Sequence, residues 1–549
     1  MSRISGGLSF LTARSAAIAV LVLTYTSVIT ANEHAETRSP EPKSDSDREL
    51  TFEQFAKDYR CPEWFRDAKF GLWAHWGPQT VPRLGGGWYA RHMYMPEVPK
   101  GEEFGSQAYP FHVKTYGHPS EFGFKDVINL WKGEKFDADA LTALFKKCGA
   151  KYVVALANHH DHFDCFASTH HPWNSVNMGP KRDIIGEWRK AATRHGLPLG
   201  VTVHDNRHWV WWTAAFDSDK SGPKKGVPYD GRLTKADGKG KWWEGYDPAD
   251  LYGPPPEKRT PELQRKMEEN WELRHLELVE KYQPDILYFD GYDFHGMPGA
   301  YGEHGKRVVE RLYNNSLRRH GSLQAVCLIK SDRRPGWVQD FERGSSDKLE
   351  PKAWITDTTL GSDWFYKEDR PLVHNARTVI EILADAVSKN GGLLMNVELY
   401  PDGSVPAPQL AILEDIGAWL RTHGEAIYET RPWKVFGQVS RNGKPTPGSG
   451  HFNERTVDSP PYAPEEVRFT TRGRSLYAIV LNPRPGRLLI RPLGLDADTE
   501  PGRVRRVDML GHRAEIPFEQ SADGLAVTLP NKLPTSYAVA LKIEGAIPE

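Results

Sequence analysis

Four stretches of the chain share one order, in which a helical segment ends near a glycine or proline and a short apolar strand follows. The helix and strand pairs are 137–148 with 152–157, 183–195 with 199–203, 261–282 with 285–289, and 377–388 with 393–397. Apolar residues spaced three and four apart mark the helices, Asp137 can cap the first, and Gly149 and Gly196 can end the first two. Strands that alternate with helices form parallel β-α units, so this order predicts a parallel α/β fold.

Polar residues come directly after three of these strands: His159 and His160, then His204, then Asp290. A (β/α)₈ barrel gathers the carboxyl ends of its strands into one mouth, where its active site lies. A doubly wound sheet would place such residues similarly, so the pattern favours the barrel without excluding the sheet. We therefore predict a catalytic (β/α)₈ TIM-like barrel over residues 50–433.

The sequence changes its pattern after a last amphipathic helix around Leu410 to Leu420. Glycine and proline interrupt residues 437–464, and six short segments of alternating apolar and polar residues follow between 467 and 543. Alternation with a period of two, divided by turn residues, is typical of a β-sandwich. We predict such a domain over residues 434–549.

The first residues have the composition of an export signal. Arg3 and Arg14 supply positive charge, 16–29 is apolar, and Ala31 is a small residue suited to cleavage. We predict that residues 1–31 are a signal peptide and 32–49 a flexible leader, which makes the mature protein secreted or periplasmic and free of the membrane. An uncleaved membrane anchor is the alternative.

The composition limits the classes of partner and cofactor. Lys plus Arg number 71 and Asp plus Glu 72, so the net charge of -1 gives no electrostatic reason to expect nucleic acid. The 18 tryptophans can fill a large core or present flat apolar walls to sugar rings. The four cysteines lack CxxC spacing, which indicates neither a zinc ribbon nor a disulfide scaffold and leaves one disulfide open.

Asp290 is the first candidate for chemistry, because it ends the apolar run 286–289 and precedes Gly291. A carboxylate at the end of a buried strand is desolvated, and that costs free energy unless something compensates. Either the side chain caps a turn or it serves a reaction. A retaining glycosidase needs two carboxyl groups about 5–5.5 Å apart, one as nucleophile and one as acid and then base.

A second candidate is the histidine-rich segment 159–164, which also follows a strand. Adjacent histidines on extended backbone point to opposite sides, so His159 and His160 are poorly placed to bind one metal together. His160 and His162 could do so, with Asp161 or Asp164 adding an oxygen. Imidazoles that hydrogen-bond to sugar hydroxyls, or histidines of the core, explain the segment without a metal. We predict no metal and no organic cofactor.

Several long segments, in the expected order, resemble the α-L-fucosidases of glycoside hydrolase family 29. They are FRDAKFGLWAHWG (65–77), GGGWYARHMY (85–94), the segment 159–187 that begins HHDHFDCF, KYQPDILYFDG (281–291), NGGLLMNVELYPDGSVP (390–406) and GEAIYETRPW (424–433). The resemblance runs from about Leu50 to the end of the chain. It implies a catalytic barrel followed by a β-sandwich, which matches the pattern of the elements.

The resemblance also implies roles for individual residues. It makes Asp290 the nucleophile of a W-F-D-G-type motif. The residues that it places around the sugar are His75, Trp88, His159, His160, Tyr288, Arg333 and Trp364. Of these, the histidines and Trp88 would bind hydroxyls, and Trp364 would pack against the methyl group of the sugar.

Two positions depart from the family pattern. Members often have Glu before the Trp of the GGxWYA motif, and Gly87 stands there, so one partner of a sugar hydroxyl is lost. A well-studied branch places the acid/base Glu five residues after the Asp of the D-F pair, and Ser345 stands there. Glu342 and Glu350 are the nearest carboxyls, and we select Glu342 because the DFERG context places it on the segment that leaves the strand.

These residues predict an exo-acting, retaining α-L-fucosidase that acts on a fucosylated glycan or polysaccharide. A related α-L-glycosidase, for example one that acts on α-L-galactosides, is the alternative among enzymes. A carbohydrate-binding protein without catalysis is favoured by Gly87 and Ser345 and disfavoured by the intact nucleophile motif. A metal-dependent hydrolase is the third alternative. The sequence makes no prediction of oligomeric state.

Overall fold

A computed structural model of the protein describes residues 49–291, 302–330, 334–439 and 462–548, and the described residues from Leu50 onward form one compact unit. The predicted signal peptide, the leader up to residue 48 and Arg333 lie outside the described residues. Within the described ranges, no helix combines the length and the apolar character that a membrane crossing requires. All four cysteines are described, and all four are free thiols.

Eight parallel strands close into a barrel, in which each strand pairs with its neighbours in chain order and the first also pairs with the last. They are β1 (Phe70–Ala74), β2 (Tyr152–Asn158), β3 (Leu199–Val203), β4 (Ile286–Phe289), β5 (Val326–Lys330), β6 (Val338–Asp340), β7 (Trp354–Thr359) and β8 (Gly391–Asn396). The barrel is confirmed, and its closure excludes the doubly wound sheet, which is open.

The helices of the described residues surround the barrel and build its loops. They are α1 (Phe52–Lys57), α2 (Glu63–Ala68), α3 (Tyr89–His92), α4 (Ala108–Thr115), α5 (Phe124–Leu130), α6 (Ala138–Lys147), α7 (Ile184–His195), α8 (His208–Trp211), α9 (Pro248–Tyr252), α10 (Pro261–Tyr282), α11 (Glu303–His320), α12 (Ala376–Ser388) and α13 (Ala407–His423). Asp137 caps α6 by accepting two backbone hydrogen bonds, and Gly196 ends α7 with a φ of 64°, both as predicted.

Apolar side chains fill the barrel interior in layers, since every second residue of a strand points inward. Trp73, Val154, Tyr288 and Leu328 belong to this interior cluster, and Phe65 of α2 packs against it from the amino-terminal end of the strands. The packed interior leaves the carboxyl end of the strands as the place for a site.

Gly391 and Gly392 stand between the predicted helix 377–388 and the predicted strand 393–397. They are the first two residues of β8. A Cβ on Gly391 would lie 2.6 Å from the Trp354 ring, and one on Gly392 would lie 3.0 Å from the carbonyl oxygen of Lys69. The two glycines therefore permit close packing between strands, which a helix-ending pattern does not reveal.

Loops rather than helices form the barrel mouth beyond β5 and β6. Residues 331–337 join β5 to β6, residues 341–353 join β6 to β7, and the described parts of both contain no helix. This side of the mouth therefore consists of loop residues whose positions no helical periodicity predicts.

The carboxyl-terminal part of the chain is an antiparallel domain of two sheets, with strand orders β13-β16-β11-β10-β9 and β12-β15-β14. The strands are β9 (Arg431–Gln438), β10 (Val467–Arg472), β11 (Ser475–Val480), β12 (Gly486–Ile490), β13 (Arg506–Met509), β14 (Phe518–Gln520), β15 (Leu525–Leu529) and β16 (Val539–Glu544). Trp433, Phe469, Leu488 and Val527 belong to the core that both sheets share. The predicted sandwich is confirmed, and its first strand begins at Arg431.

A buried ion cluster joins this domain to the barrel, and we call it the junction cluster. Asp385 of α12 pairs with Lys389 at 2.7 Å and with Arg468 of β10 at 2.6 Å. The same carboxylate accepts the Ser345 hydroxyl at 3.2 Å, and the Lys389 ammonium donates to the Ser346 carbonyl at 2.8 Å. The junction cluster therefore also holds the loop between β6 and β7.

Candidate active site

A cavity of about 560 Å³ opens at the carboxyl ends of the barrel strands. Its walls are formed by Trp73, His75, Gly87, Trp88, Phe104, His159, His160, His204, Asn206, Arg207, Asp290, Gly291, Lys330, Glu342, Arg343, Asp363, Trp364 and Lys367. Seven of the predicted site residues thus come together from six different parts of the chain. They are Asp290, Glu342, His75, Trp88, His159, His160 and Trp364.

Asp290 is held at the end of β4 by its backbone. Its N–H donates to the carbonyl of Val203 at 2.9 Å, and its own carbonyl accepts the Asn206 side chain. The carboxylate faces the cavity, where Oδ2 lies 3.1 Å from His204 Nδ1 and 3.6 Å from His160 Nε2. The position is that of a fixed carboxylate aimed at a ligand.

Lys330, the last residue of β5, joins the two predicted catalytic carboxyls. Its ammonium contacts Asp290 Oδ1 and lies 2.5 Å from Glu342 Oε2. Because both oxygens contact the same nitrogen, they lie within about 5 Å of each other, the separation that retaining glycosidases use.

The two carboxyls have opposite protonation tendencies. Burial would raise the pKa of Asp290. The positive charge of Lys330, and to a smaller extent the interaction with His204, outweighs burial and holds that pKa well below its usual range. Burial raises the pKa of Glu342 to about 8, with Lys330 opposing the shift and Asp357 adding to it. At neutral pH the site therefore holds one ionised carboxylate and one carboxylic acid, as a nucleophile and a proton donor require.

Tyr288 does not line the cavity, although the family resemblance placed it beside the sugar. Residues two apart on a strand face the same side, so Tyr288 lies one layer below Asp290 in the barrel interior, with none of its surface exposed. Its hydroxyl lies 3.1 Å from Asp340 Oδ2 and 3.2 Å from Asp357 Oδ2. Burial raises the pKa of Asp340 well above its usual range and that of Asp357 to about 6.

Four imidazoles form one wall of the cavity: His75, His159, His160 and His204. Contrary to the extended-strand expectation, His159 and His160 face the same cavity with ring centroids 4.4 Å apart, because β2 ends at Asn158 and the chain turns there. Burial lowers the pKa of His160 to about 3 and that of His75 and His159 well below the usual range. The rings are therefore neutral at neutral pH.

Neutral imidazoles can match sugar hydroxyls, which both donate and accept. The His160 Nδ1 lies 2.5 Å from the His204 carbonyl, which can only accept, so Nδ1 carries the hydrogen and Nε2 is an acceptor. Gln79 Nε2 lies 2.8 Å from His159 Nδ1, while Gln79 Oε1 accepts the Ala90 N–H. The amide therefore donates to His159, whose Nε2–H is left to donate.

His75, His159 and His204 could also hold a divalent metal, because one nitrogen of each lies within 4.8 Å of the others and all three are buried. The pair His160 and His162 could not do so at this site. The His162 ring lies outside the cavity wall, with Nδ1 2.8 Å from Asp205.

Aromatic side chains form a further part of the cavity wall and its rim. Trp88 packs on Trp211 at a centroid distance of 4.7 Å, and the Arg207 guanidinium lies 4.9 Å from the Trp88 ring centroid. Phe104 stands at the rim with 58% of its surface exposed. Trp364 lies deeper, beside Trp73 at 5.4 Å.

The structure gives Gly87 a steric meaning. A Cβ at this position would lie 3.0 Å from His159 Cε1 and 3.4 Å from the Phe365 ring, so a larger side chain would have to displace the imidazole. Asp363, which pairs with Lys367 at 2.6 Å, lines the same cavity and faces the neighbouring Gly86. A carboxylate is therefore present in the cavity wall near the position from which the family's Glu is missing.

Of the two carboxyls considered for the proton donor, Glu342 lines the cavity and Glu350 does not. Ser345 donates to the junction cluster at Asp385. Glu350 is buried away from the cavity and accepts the Ser346 hydroxyl at 2.7 Å. The geometry therefore favours Glu342.

The sequence analysis did not select several residues of the cavity wall. They are Trp73, Phe104, His204, Asn206, Arg207, Lys330, Arg343, Asp363 and Lys367. A signal existed for Lys330, because a charged residue ends the apolar strand VCLIK just as Asp290 follows ILYF. His204 was noted as a polar residue after a strand. Trp73 is an apolar residue within β1, and the others lie outside the barrel strands, where no such signal exists.

Comparison with known proteins gives one consistent result. The family model described as Alpha-L-fucosidase matches residues 37–425, and the Alpha-L-fucosidase C-terminal domain matches 462–544. The rat plasma alpha-L-fucosidase is 28% identical over 85% of this chain and 87% of that protein, and the human plasma alpha-L-fucosidase is 27% identical over 89% and 91%.

Among solved structures, the Thermotoga maritima alpha-fucosidase in complex with fucose covers 89% of this chain and 98% of its own, with 26% identity and a TM-score of 0.63. The alpha-L-fucosidase isoenzyme 1 of Paenibacillus thiaminolyticus covers 90% and 100% at 21% identity, with a TM-score of 0.58, a likeness of fold. Both are superposed over barrel and sandwich together.

Proposed function

This chain belongs to the α-L-fucosidase family and is a glycoside hydrolase, and from that premise we propose that it is an exo-acting, retaining enzyme. It removes terminal α-L-fucosyl groups from a glycan by double displacement. The observation that carries the proposal is the pair Asp290 and Glu342, which share one ammonium within about 5 Å in one cavity.

In the first step, Asp290 attacks the anomeric carbon and the bond from that carbon to the leaving oxygen breaks. Glu342 gives its proton to that oxygen, so the product alcohol departs neutral and a fucosyl ester remains on Asp290. The lowered pKa of Asp290 and the pKa of Glu342 near 8 support these roles at neutral pH.

In the second step, a water molecule loses a proton to Glu342 and attacks the anomeric carbon. The ester bond breaks, Asp290 returns as a carboxylate, and Glu342 regains its proton. Two inversions at one carbon give net retention, so the released fucose is the α-anomer.

The cavity walls support exo action on a single sugar. The layer below Asp290 is closed by packed side chains, Tyr288 and Trp73 among them, and the cavity opens at the loop side. A chain end can enter such a cavity, whereas the interior of a polysaccharide has no path through it. The imidazole wall offers partners to hydroxyls, and Trp364 offers an apolar face to the methyl group.

The test is to follow hydrolysis of an aryl α-L-fucoside by proton NMR. We expect the α-anomer of fucose to appear first and the β-anomer only by later mutarotation. Initial release of the β-anomer would overturn retention. An oligosaccharide with one terminal and one internal fucose tests exo action, since only the terminal sugar should be released. A matched α-L-galactoside, which carries a hydroxyl on the carbon that is the methyl group of fucose, shows whether the cavity wall at Trp364 accepts the added hydroxyl.

Metal-assisted hydrolysis is a second candidate, because His75, His159 and His204 could act as ligands. We expect dialysis against a chelator to leave the rate unchanged and elemental analysis to find no stoichiometric zinc. Loss of one zinc per chain together with activity, both restored by added zinc, would favour the metal mechanism.

We also propose that the enzyme acts outside the cytoplasm after removal of residues 1–31. The composition of that segment, with Arg3 and Arg14 before the apolar run 16–29, supports export. Mass spectrometry of the protein from culture medium and periplasm should find a chain that begins at Asn32. A chain with an intact first segment in the membrane fraction would instead indicate an anchor.

A further inference from the structure

Lys330 holds the position from which one side chain reaches both catalytic carboxyls. It ends β5, and β5 pairs with β4 on one side and β6 on the other. Asp290 follows the last residue of β4, while Asp340 lies opposite Lys330 in the register of β6 and Glu342 comes two residues later. The barrel topology therefore places the ammonium between the two carboxyls.

The ammonium faces more carboxyls than one positive charge can neutralise. Asp290 and Glu342 contact it, and Asp340 and Asp357 lie below at Tyr288. The titratable groups that act on this set from the surrounding strands are Asp290, Glu342, Asp340, Asp357, His75 and His204. Burial keeps both imidazoles neutral at neutral pH, whereas the pKa of Asp357 near 6 leaves that carboxyl largely ionised, so the ammonium faces the carboxylates of Asp290 and Asp357.

We propose that Lys330 is a positioning residue that supplies the counter-charge in both steps, pairing with Asp290 in the free enzyme and with Glu342 in the glycosyl-enzyme. The inference rests on the proposed function, because it requires Asp290 as nucleophile and Glu342 as acid and then base. It concerns a residue of this chain whose contacts to both oxygens are already formed before any substrate enters.

The charge balance explains why a shared ammonium suits this reaction. When Asp290 becomes an ester it loses its negative charge, and in the same step Glu342 gives its proton to the leaving oxygen and becomes the carboxylate. The number of ionised carboxyls around the ammonium is therefore the same before and after the step. Since Lys330 contacts both oxygens, the charge moves from one partner to the other with little rearrangement of the lysine.

The same contact prepares Glu342 for the second step. A group that must accept a proton from water has to be ionised, and a buried carboxyl near other carboxyls resists ionisation. In the glycosyl-enzyme the charge of Asp290 is gone, and Glu342 is the catalytic carboxyl that still contacts Lys330. Lys330 thereby makes the buried Glu342 a base when the reaction needs one.

The experiment compares Lys330→Met, which removes the charge at similar length, with Lys330→Arg, which keeps it. The phenol of a dinitrophenyl α-L-fucoside departs without a proton, so the slow step with this substrate is hydrolysis of the glycosyl-enzyme. Pre-steady-state release of the phenol measures the first step separately from that hydrolysis. We expect the acid limb of this hydrolysis to move upward by about 1 to 2 pH units in the methionine variant. The arginine variant should keep the limb near that of the wild type.

Active sites are counted by burst titration, so rates are expressed per competent site. Lys330→Gln repeats the loss of charge with a polar side chain in case the methionine variant does not fold. Lys367→Met is the matched control, because Lys367 lines the same cavity but pairs with Asp363. Whatever it does to KM, it should leave the acid limb of hydrolysis in place.

An unmoved acid limb in both uncharged variants, or an arginine variant shifted as far as they are, would overturn the role of Lys330. Failure of the proposed function has a different signature, since a wild-type enzyme that releases the β-anomer first is not retaining at all. If the enzyme retains configuration but the acid limb of hydrolysis does not move when the charge of Lys330 is removed, this inference is refuted and the proposed function is not.

Discussion

The cavity and the junction cluster are both buried groups of charged side chains, but the residue at the centre of each has the opposite charge. At the junction, Asp385 meets two cations, Lys389 and Arg468, at 2.7 and 2.6 Å. In the cavity, Lys330 contacts both Asp290 and Glu342, with two further carboxyls one layer below. At the junction one carboxylate therefore lies between two cations, of which Arg468 also pairs with Glu466 at 3.4 Å, whereas in the cavity one cation lies between two carboxyls.

The balance decides which groups can exchange protons. Burial would raise the pKa of Asp385, but the charges of Lys389 and Arg468 outweigh burial and hold that pKa well below its usual range. The Asp385 carboxylate therefore stays ionised. In the cavity the carboxyls separate, with the pKa of Asp290 lowered and that of Glu342 raised to about 8. A carboxylate between two cations gives a structural link, whereas two carboxyls on one cation keep a proton available near neutral pH.

The largest effect should follow from removal of the nucleophile. Asp290→Ala should reduce the rate by roughly 10⁴- to 10⁶-fold, because the covalent route is lost. Azide should restore part of the turnover of an activated fucoside and give the inverted β-azide, identified by NMR. An alanine variant with wild-type kcat would show that another group is the nucleophile.

Removal of the proton donor should give a smaller loss that depends on the leaving group. Glu342→Ala should reduce hydrolysis of alkyl fucosides by about 10²- to 10⁴-fold and spare the first step with acidic phenols, which depart without a proton. Azide should now give the retained α-azide.

Glu350→Ala is the matched control for this variant, because Glu350 is a buried carboxyl of the same loop that faces away from the cavity. Its ratio of alkyl to aryl rates should equal that of the wild type. If the ratio changes in the Glu350 variant and not in the Glu342 variant, the two assignments must be exchanged.

The junction cluster should respond in stability rather than in chemistry. Asp385→Asn removes the carboxylate that lies between two buried cations and should lower the free energy of unfolding by about 3–5 kcal/mol, measured by urea denaturation. The kcat should fall less than about tenfold, since the variant changes the reaction only through the loop held at Ser345 and Ser346. Glu381→Gln, on the same helix, should change stability far less.

The strand ends explain how much of this comparison was predictable. The order of helices and strands predicted the barrel, and the position after a buried strand identified Asp290 and the two histidines. Glu342 needed the family resemblance, because it lies on a loop without periodicity. Arg333 stays a prediction, since it lies outside the described residues.

The link between Asp290 and Lys330 was not predictable, because it depends on which strands are neighbours in the closed barrel. The prediction that Tyr288 lies beside the sugar differs from the structure for a related reason. A motif places residues along a chain, but it does not tell which layer of a barrel each side chain occupies.

The smallest effect concerns pH and should have opposite signs in the two regions. The pKa of Glu342 is raised to about 8 in the folded protein. Its neutral form therefore contributes stability that is complete below the unfolded value of about 4.5 and is lost as the pH rises toward 8. The pKa of Asp385 is lowered, so its contribution is present above the unfolded value of about 4 and is lost as the pH falls through the folded value.

Glu342→Gln removes the group that must stay protonated and keeps its shape. At pH 8 the variant should be more stable than the wild type by roughly 1 to 3 kcal/mol, and the difference should shrink toward pH 5, where the carboxyl is neutral in the folded wild type and most of its contribution to stability is present. The kcat/KM of the wild type should fall above about pH 8 as Glu342 loses its proton. Urea unfolding at pH 5 and pH 8 checks the sign, and a variant less stable than the wild type at both would show that Glu342 is ionised in the folded enzyme.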